Sequence, residues 1–542
     1  MNRLIIAGAI FAIALLTFFV FPGHTWVQQD TQIYAPILEH LRDRSVLHND
    51  ILVQRPHVTF TLYDECALAL SRATGADFEH VLKALQIATR ALGVWGLYLL
   101  AGATGLAAAP ALMVAAILSL GATVAGPSVL TLEYEPNPRG FAVPLLLLAA
   151  GMLAHGRYFV SGLAAAAAFL FHPPTVYPFW GVYFLLALWP GKPDVMRRRL
   201  YEFVPILGAT ILLAVASRFQ AGVGETQSFF TRLTPFQEEL QRMRSSYLFV
   251  SLWWRDFLPQ YLFLFVALLV AYRRVRAAMG FDLRVTLIGM PLIGLLSVPV
   301  SWLLLEKSKW ALMPQFQPMR ALLFTILFAL FAAAVAGVRA AERGRLAEAF
   351  AWLLLPFLAP TTAVLGWPGF RAASVAVALA ALSTFALAAY GRRRAWAAPA
   401  LAAVAAAAFF AMPGLAGVVN YPRLHTPELD ALAAWARANT PPDAVFLFGD
   451  ARKSSVPGIF RFKARRAVYT DWKSGGQVNY LRELGDEWWS RWQRTGMNRY
   501  RADRIPLYRS LGIDYLVLSA QTPPPGIAPQ FHNRQYAVFK LR

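Results

Sequence analysis

The sequence predicts an α-helical polytopic membrane protein, about thirteen spans, with a small α/β domain at its C-terminal end. Three observations predict it. Hydrophobic residues make up 57% of the 542 and charged residues only 15%, where a soluble chain carries about 25% charge. Apolar runs able to cross about 30 Å of hydrocarbon recur through residue 412. After Pro413-Gly414 and Tyr421-Pro422 the alanine runs stop and charge rises.

The same composition, with a mean hydropathy of +0.46, excludes a disordered chain and a disulfide scaffold. Cys66 is the only cysteine, so an intramolecular disulfide and a cysteine zinc site are excluded too. The net charge of +21 does not indicate nucleic acid, because much of it sits in short loops between apolar runs, the positive-inside pattern.

Taken in order, Arg3 precedes an apolar run, 4–21, that ends Phe21-Pro22-Gly23-His24-Thr25-Trp26 rather than at a small-residue cleavage site. It reads as an uncleaved anchor. Further apolar cores are expected at 84–104, 107–124, 140–155, 158–172, 174–190, 201–216, 258–272, 284–304, 320–338, 348–366, 371–390 and 395–412. With the N-terminus inside, the basic clusters at 192–199, 273–276, 339–345 and 392–394 all fall on the inner side. That leaves long outer segments at 23–83 and 217–257, shorter ones at 125–139 and 305–319, and an outer tail. The expected division is 1–419, the spanning part, and 420–542, the α/β domain. In the tail, Pro427–Asn439 reads as an amphipathic helix with Leu429, Leu432, Ala433 and Trp435 on one face. Thr426 and Pro427 suit its start. Strands are expected at 444–448, 467–470, 515–519 and 536–541.

Residues that suit chemistry lie on the expected outer side. Asp30 follows the first span, with Tyr34 one turn on along an interfacial helix. A carboxylate bordering low dielectric has a raised pKa, which suits proton abstraction; a helix N-cap is the competing role. Asp50, in His48-Asn49-Asp50, is placed either as a metal partner of Asp30, as a holder of a substrate hydroxyl, or as a solvated turn residue. A second amphipathic helix, opened by Pro56, is expected over 57–70, with Asp64 and Glu65. Glu133, Glu135 and Arg139 share the loop before a span; Arg139 suits a bidentate phosphate grip or a snorkelling position equally. His172, in Phe171-His172-Pro173-Pro174-Thr175, marks a break at membrane depth, where polar groups face a cavity or the protein interior. Lys307, Lys309 and Arg320 suit either a lipid phosphate or an interfacial anchor. The tail adds basic and aromatic pieces at 461–466, 471–473 and 487–492. No phosphate-cradling glycine loop, nucleophile elbow or HExxH is present.

The pieces Gln29-Asp30, Asn49-Asp50, Phe171-His172-Pro173, Gln317-Pro318-Met319-Arg320, Asn439-Thr440-Pro441 and Asp471-Trp472-Lys473, set in this order of spans and outer tail, resemble the GT-C class of membrane glycosyltransferases. Within it, the resemblance is to a bacterial multi-span group with a C-terminal extracytoplasmic domain. It covers most of the chain and implies a GT-C-like fold. It also implies transfer of a sugar from a polyprenyl-phosphate donor to an acceptor on the outer face. By the resemblance, Asp30 is the acid of the first loop, with Arg320 and Arg139 as phosphate candidates. Many members carry two neighbouring acids there; here Gln28-Gln29-Asp30-Thr31 holds one, and the second would be Asp50.

The expected site therefore comprises Asp30 and Asp50 as catalytic residues, with Tyr34, Glu133, Arg139, His172, Lys309 and Arg320 binding substrate. No cofactor is required by the sequence; the resemblance allows a divalent cation, and metal ligands are not assigned. Expected partners are membrane lipids, a polyprenyl-phosphate sugar donor and a glycan, lipid or protein acceptor, with no nucleic acid. The expected location is the bacterial inner membrane, N-terminus cytoplasmic and C-terminal domain outside. A transporter or flippase of a lipid-linked molecule, or a non-catalytic scaffold, are the alternatives. The first calls for mid-membrane charges and repeated halves, of which the sequence shows few and none evident; the second has no need of a first-loop carboxylate.

Overall fold

The structure, a computed structural model, describes residues 2–54, 61–191, 193–220, 229–362, 367–393, 395–480, 482–523 and 526–542. A helix stands at each expected apolar core, from Arg3–Phe19 through Phe78–Ala103 and Pro138–Ala154 to Phe370–Gly391 and Ala397–Gly414. Among the described residues six helices are long and apolar enough to cross a membrane, by length and composition. Shorter apolar helices, Tyr158–Phe171 among them, stand beside these. Leu207, Phe263 and Phe385 are more than half exposed (61%, 57% and 63%). So much outward apolar surface is what a bundle bathed in lipid presents.

The helix Leu322–Glu342 runs buried through the middle of the bundle. Phe78–Ala103 and Pro138–Ala154 pack closest along Gly93, Gly96 and Gly151, where a Cβ at Gly96 would run into the backbone of Leu147. Small residues let helix backbones approach where lipid gives no hydrophobic drive between helices.

The tail folds as expected at most elements. Thr426 Oγ1 accepts from the Leu429 amide at 3.2 Å and starts the helix Pro427–Asn439. A short hairpin, β1 (Thr123–Val124) and β2 (Val129–Leu130), precedes a five-stranded sheet of β3 (Val445–Phe448), β4 (Ala467–Val468), β5 (Tyr515–Ser519), β6 (Pro529–His532) and β7 (Tyr536–Lys540). Its order is β4-β3-β5-β7-β6. β3 runs parallel to β4 and β5, while β7 is antiparallel to β5 and β6. β6 is absent from the sequence expectation: it opens with a proline and is mostly exposed, so no apolar alternation announces it.

The first long loop, 23–83, does not lie apart from this domain. Trp26, Leu38 and Tyr63 share one buried cluster with Leu429, Phe446 and Phe460. The helix Val456–Ala464 comes so close to Thr31–Arg42 that a Cβ on Gly458 would strike the side chain of Gln32. The helix expected over 57–70 is seen as Tyr63–Thr74; Pro56 and His57 lie outside the described residues.

Candidate active site

Between the first loop, the 123–139 segment, the 472–480 segment and Arg320 lies a cavity of about 370 Å³. Its walls are mostly polar and charged, and each charged wall residue is placed by a local device.

Asp30 stands at the N-cap position of Thr31–Arg42, yet its side chain makes no cap bond. Glu135 does that work instead. Its carboxylate accepts from the amides of Gln28 at 2.8 Å, Gln29 at 2.7 Å and Thr31 at 3.0 Å, so the first orphan donor of the helix and two loop amides ahead of it are met at once. Burial raises the Glu135 pKa, and the amides hold it back only in part. Asp30 is left to turn inward, where Lys473 Nζ donates to its Oδ1 at 2.8 Å. Although deep in the protein, its side chain is 44% exposed, toward the cavity. Here the sequence expectation fails. Burial pushes the Asp30 pKa up, but Lys473 and then Arg139 outweigh it and hold the carboxyl well below the usual carboxylate range.

Arg139 opens the helix Pro138–Ala154, which Asn137 caps by accepting from the Gly140 amide at 2.8 Å. Its Nε donates to Glu133 Oε1 at 2.8 Å, with both side chains buried, so Arg139 does not snorkel to lipid. Glu133 is held through its backbone: Arg90, fully buried, donates to the carbonyls of Thr17, Gly23 and Glu133 at 2.7, 2.9 and 2.7 Å. His172 sits at the corner between Tyr158–Phe171 and Pro173–Leu188, its Nδ1 2.7 Å from Thr175 Oγ1. Tyr34 lines the wall, its ring 5.3 Å from that of Tyr63, and burial pushes its hydroxyl pKa well up. Arg320 follows Gln317, a left-handed residue (φ 52°) that turns the chain into the short helix Pro318–Ala321. Its guanidinium lies over the Tyr247 ring at 4.9 Å. Among the described residues it makes no hydrogen bond and no ion pair.

Six of the eight expected residues thus share one cavity: Asp30, Tyr34, Glu133, Arg139, His172 and Arg320. Asp50 and Lys309 do not line it. Asp50 is fully buried; its Oδ2 takes Arg461 Nε at 2.6 Å and the Val468 amide at 2.9 Å. A carboxylate so engaged is neither a metal partner for Asp30 nor a solvated turn residue. Lys309 points to Glu238 at 2.8 Å, drawn off by the helix Pro235–Arg244. No cluster of three or more His, Cys, Asp or Glu side chains gathers as a metal site among the described residues.

The sequence reading missed Lys473, Arg244, Tyr247, Gln477 and Tyr480 as wall residues. Arg244 had a signal: the Thr234–Gln237 capping box starts the helix that ends on it. Arg244 Nε donates to the Trp472 carbonyl at 2.9 Å. Lys473 stood in the piece Asp471-Trp472-Lys473, but nothing local pointed to its meeting with Asp30, 443 positions away.

A family model described as a domain of unknown function, DUF6798, matches residues 427–495. That stretch carries Lys473, Gln477 and Tyr480 to the cavity. No curated protein matches the chain. Among solved structures, the chain is similar to the arabinofuranosyltransferase AftD from Mycobacteria, at 16% identity and a TM-score of 0.44, over 97% of this chain and 36% of that one. This chain thus spans about a third of AftD. It is also similar to ArnT from Cupriavidus metallidurans bound to undecaprenyl phosphate, at 13% identity and a TM-score of 0.45, over 99% and 97% of the two chains.

Proposed function

We propose that the chain is a GT-C-type glycosyltransferase of the bacterial inner membrane. It moves a sugar from a polyprenyl-phosphate donor to an acceptor hydroxyl on the outer face, where the C-terminal domain lies. The observation that carries this reading is a pair of sites, polar and apolar, that draw on one short stretch of chain, 313–320. Arg320 lines the polar cavity with a guanidinium that stacks on Tyr247 and makes no hydrogen bond or ion pair among the described residues. A few residues before it, Met313, Phe316 and Pro318 wall an apolar groove of about 360 Å³, completed by Leu296, Val300 and Leu304. Leu296 and Val300 are 53% and 43% exposed, so the groove opens on the bundle's outer surface. A charged head site and an apolar slot on one stretch of chain suit a phosphate carried on a prenyl chain.

In the transfer, the acceptor oxygen bonds to the sugar's anomeric carbon as the bond from that carbon to the phosphate oxygen breaks. The acceptor proton passes to Asp30, and the configuration inverts. The phosphate leaves with its charge held by Arg320 and Arg139, with His172 beside them. Cations fixed where charge develops stabilise the transition state more than the ground state. Tyr34 and Glu133 line the acceptor side and Arg139's flank.

The test is made in the native host. The gene is deleted and restored as wild type or Asp30→Asn, and surface glycans and polyprenyl-linked sugars are profiled by mass spectrometry. Loss of one glycan with accumulation of its lipid-linked donor, in both the deletion and the Asp30→Asn strain, is expected. A silent Asp30→Asn strain beside an affected deletion would move transport or scaffolding ahead.

A further inference from the structure

Lys473 differs from the other cavity cations in its partner. Arg139 is tied to Glu133 and Arg244 to backbone carbonyls, whereas the carboxylate that Lys473 meets is Asp30 itself. Its backbone is held on several sides. Asp471 Oδ1 accepts from the amides of Lys473 at 2.8 Å and Ser474 at 3.0 Å. The other Asp471 oxygen binds Arg461, and Arg461 binds Asp50 in turn. Trp488 Nε1 donates to the Asp471 carbonyl at 2.8 Å, and Arg244 takes the next one. The peptide is fixed while the flexible four-carbon stem is not. The ammonium stands on Asp30 at the cavity wall, its side chain 14% exposed, and any change of partner falls to rotation of that stem rather than to the backbone.

We propose that Lys473 is an exchange cation. It neutralises Asp30 until a substrate phosphate draws its ammonium away, so the carboxylate is unmasked only when the phosphate is seated. This rests on the glycosyltransferase reading and deepens it: the C-terminal domain takes part in binding the donor and in timing the base. Arg320 and Arg139 hold the phosphate from the other walls. Coupling between sites is reciprocal. An anion that must first break the Lys473–Asp30 pair binds more weakly than one that need not.

The experiment titrates undecaprenyl phosphate into the purified full chain in detergent, as wild type, Asp30→Asn, Lys473→Met, Lys473→Arg and the Asp30→Asn/Lys473→Met double variant. Gel filtration checks that each is monodisperse. Asp30→Asn is expected to bind roughly tenfold tighter than wild type and Lys473→Met roughly tenfold weaker, each step equal to about 1.4 kcal/mol. Lys473→Arg keeps its charge and stays near wild type. In the double variant the gain from Asp30→Asn disappears, because no ammonium remains to be released. If Asp30→Asn binds no tighter than wild type while wild type binds well, the exchange is overturned and the glycosyltransferase reading stands. If wild type binds no undecaprenyl phosphate, both fall. A parallel titration with inorganic phosphate separates a soluble anion from a lipid-borne one. Equal affinity for the two sinks the lipid donor, and a tightened Asp30→Asn in that arm still upholds the exchange.

Discussion

At Asp30 and Asp64, two carboxylates of the same long loop, burial acts in the same direction and the neighbours decide the outcome. Lys473 and Arg139 keep Asp30 ionised. Asp64, only 6% exposed, has a Glu65 neighbour instead of a cation, and its pKa is pushed up to about 8. Its Oδ1 has no hydrogen-bond partner among the described residues. The sign follows from linkage. Well below pH 4, folded and unfolded forms both bind the proton, and Asp64 costs nothing. As pH rises toward 8 the unfolded chain releases that proton while the folded one keeps it, so folding grows less favourable. Asp64→Asn is therefore expected to raise the unfolding temperature at about pH 7.5 and leave it unchanged at about pH 3, which thermal unfolding at the two pH values checks. An equal shift at both would mean the effect is not one of charge.

Among the elements, the spans were readable because each must carry its own apolar length, a local property of the sequence. The helix Pro427–Asn439 and strand β5 were readable for a similar reason, through a cap and a short apolar run. The missed parts depend on distant neighbours: the edge strand β6, the capping of the first loop by Glu135, and the meeting of Lys473 with Asp30. Asp50 shows the limit most plainly. A turn acid beside an asparagine looks solvated, and nothing local reveals Arg461. Close helix contacts belong here too. Gly458→Ala is expected to push the Gln32 amide aside and break its bond to the Val27 carbonyl, costing about 1 kcal/mol. Transfer activity should fall further than stability does, since Lys473 rides on that domain. Activity measured beside thermal stability checks this; wild-type activity in the variant would show that the two elements need not be in register. Gly96→Leu, at the crossing with Leu147, is expected to lower the yield of folded protein at a cost of about 1–3 kcal/mol, read by fluorescence-detected gel filtration.

Across the whole molecule, the first long loop and the tail are joined by the buried set Asp50, Arg461 and Asp471, all of it without exposure. Removing the cation alone leaves two carboxylates in a dry interior, which costs about 3–5 kcal/mol. Arg461→Met is expected to unfold or misassemble the chain at its working temperature, and Asp50→Asn to do less harm, since Asp471 still faces Arg461. Unfolding temperatures of the two variants in the same detergent test the order; a milder Arg461→Met would mean that water reaches this set.

That join also constrains how the molecule is made. Asp50 leaves the ribosome 411 residues ahead of Arg461, roughly 20–80 s of synthesis at usual rates. Through that interval Trp26 and Leu38 have only the early part of their cluster, such as Tyr63 and Phe78, and lack Phe446 and Phe460. Assembly of the cavity is thus the last event of biogenesis. A chain truncated within its final hundred residues could insert its helices and still never acquire a site.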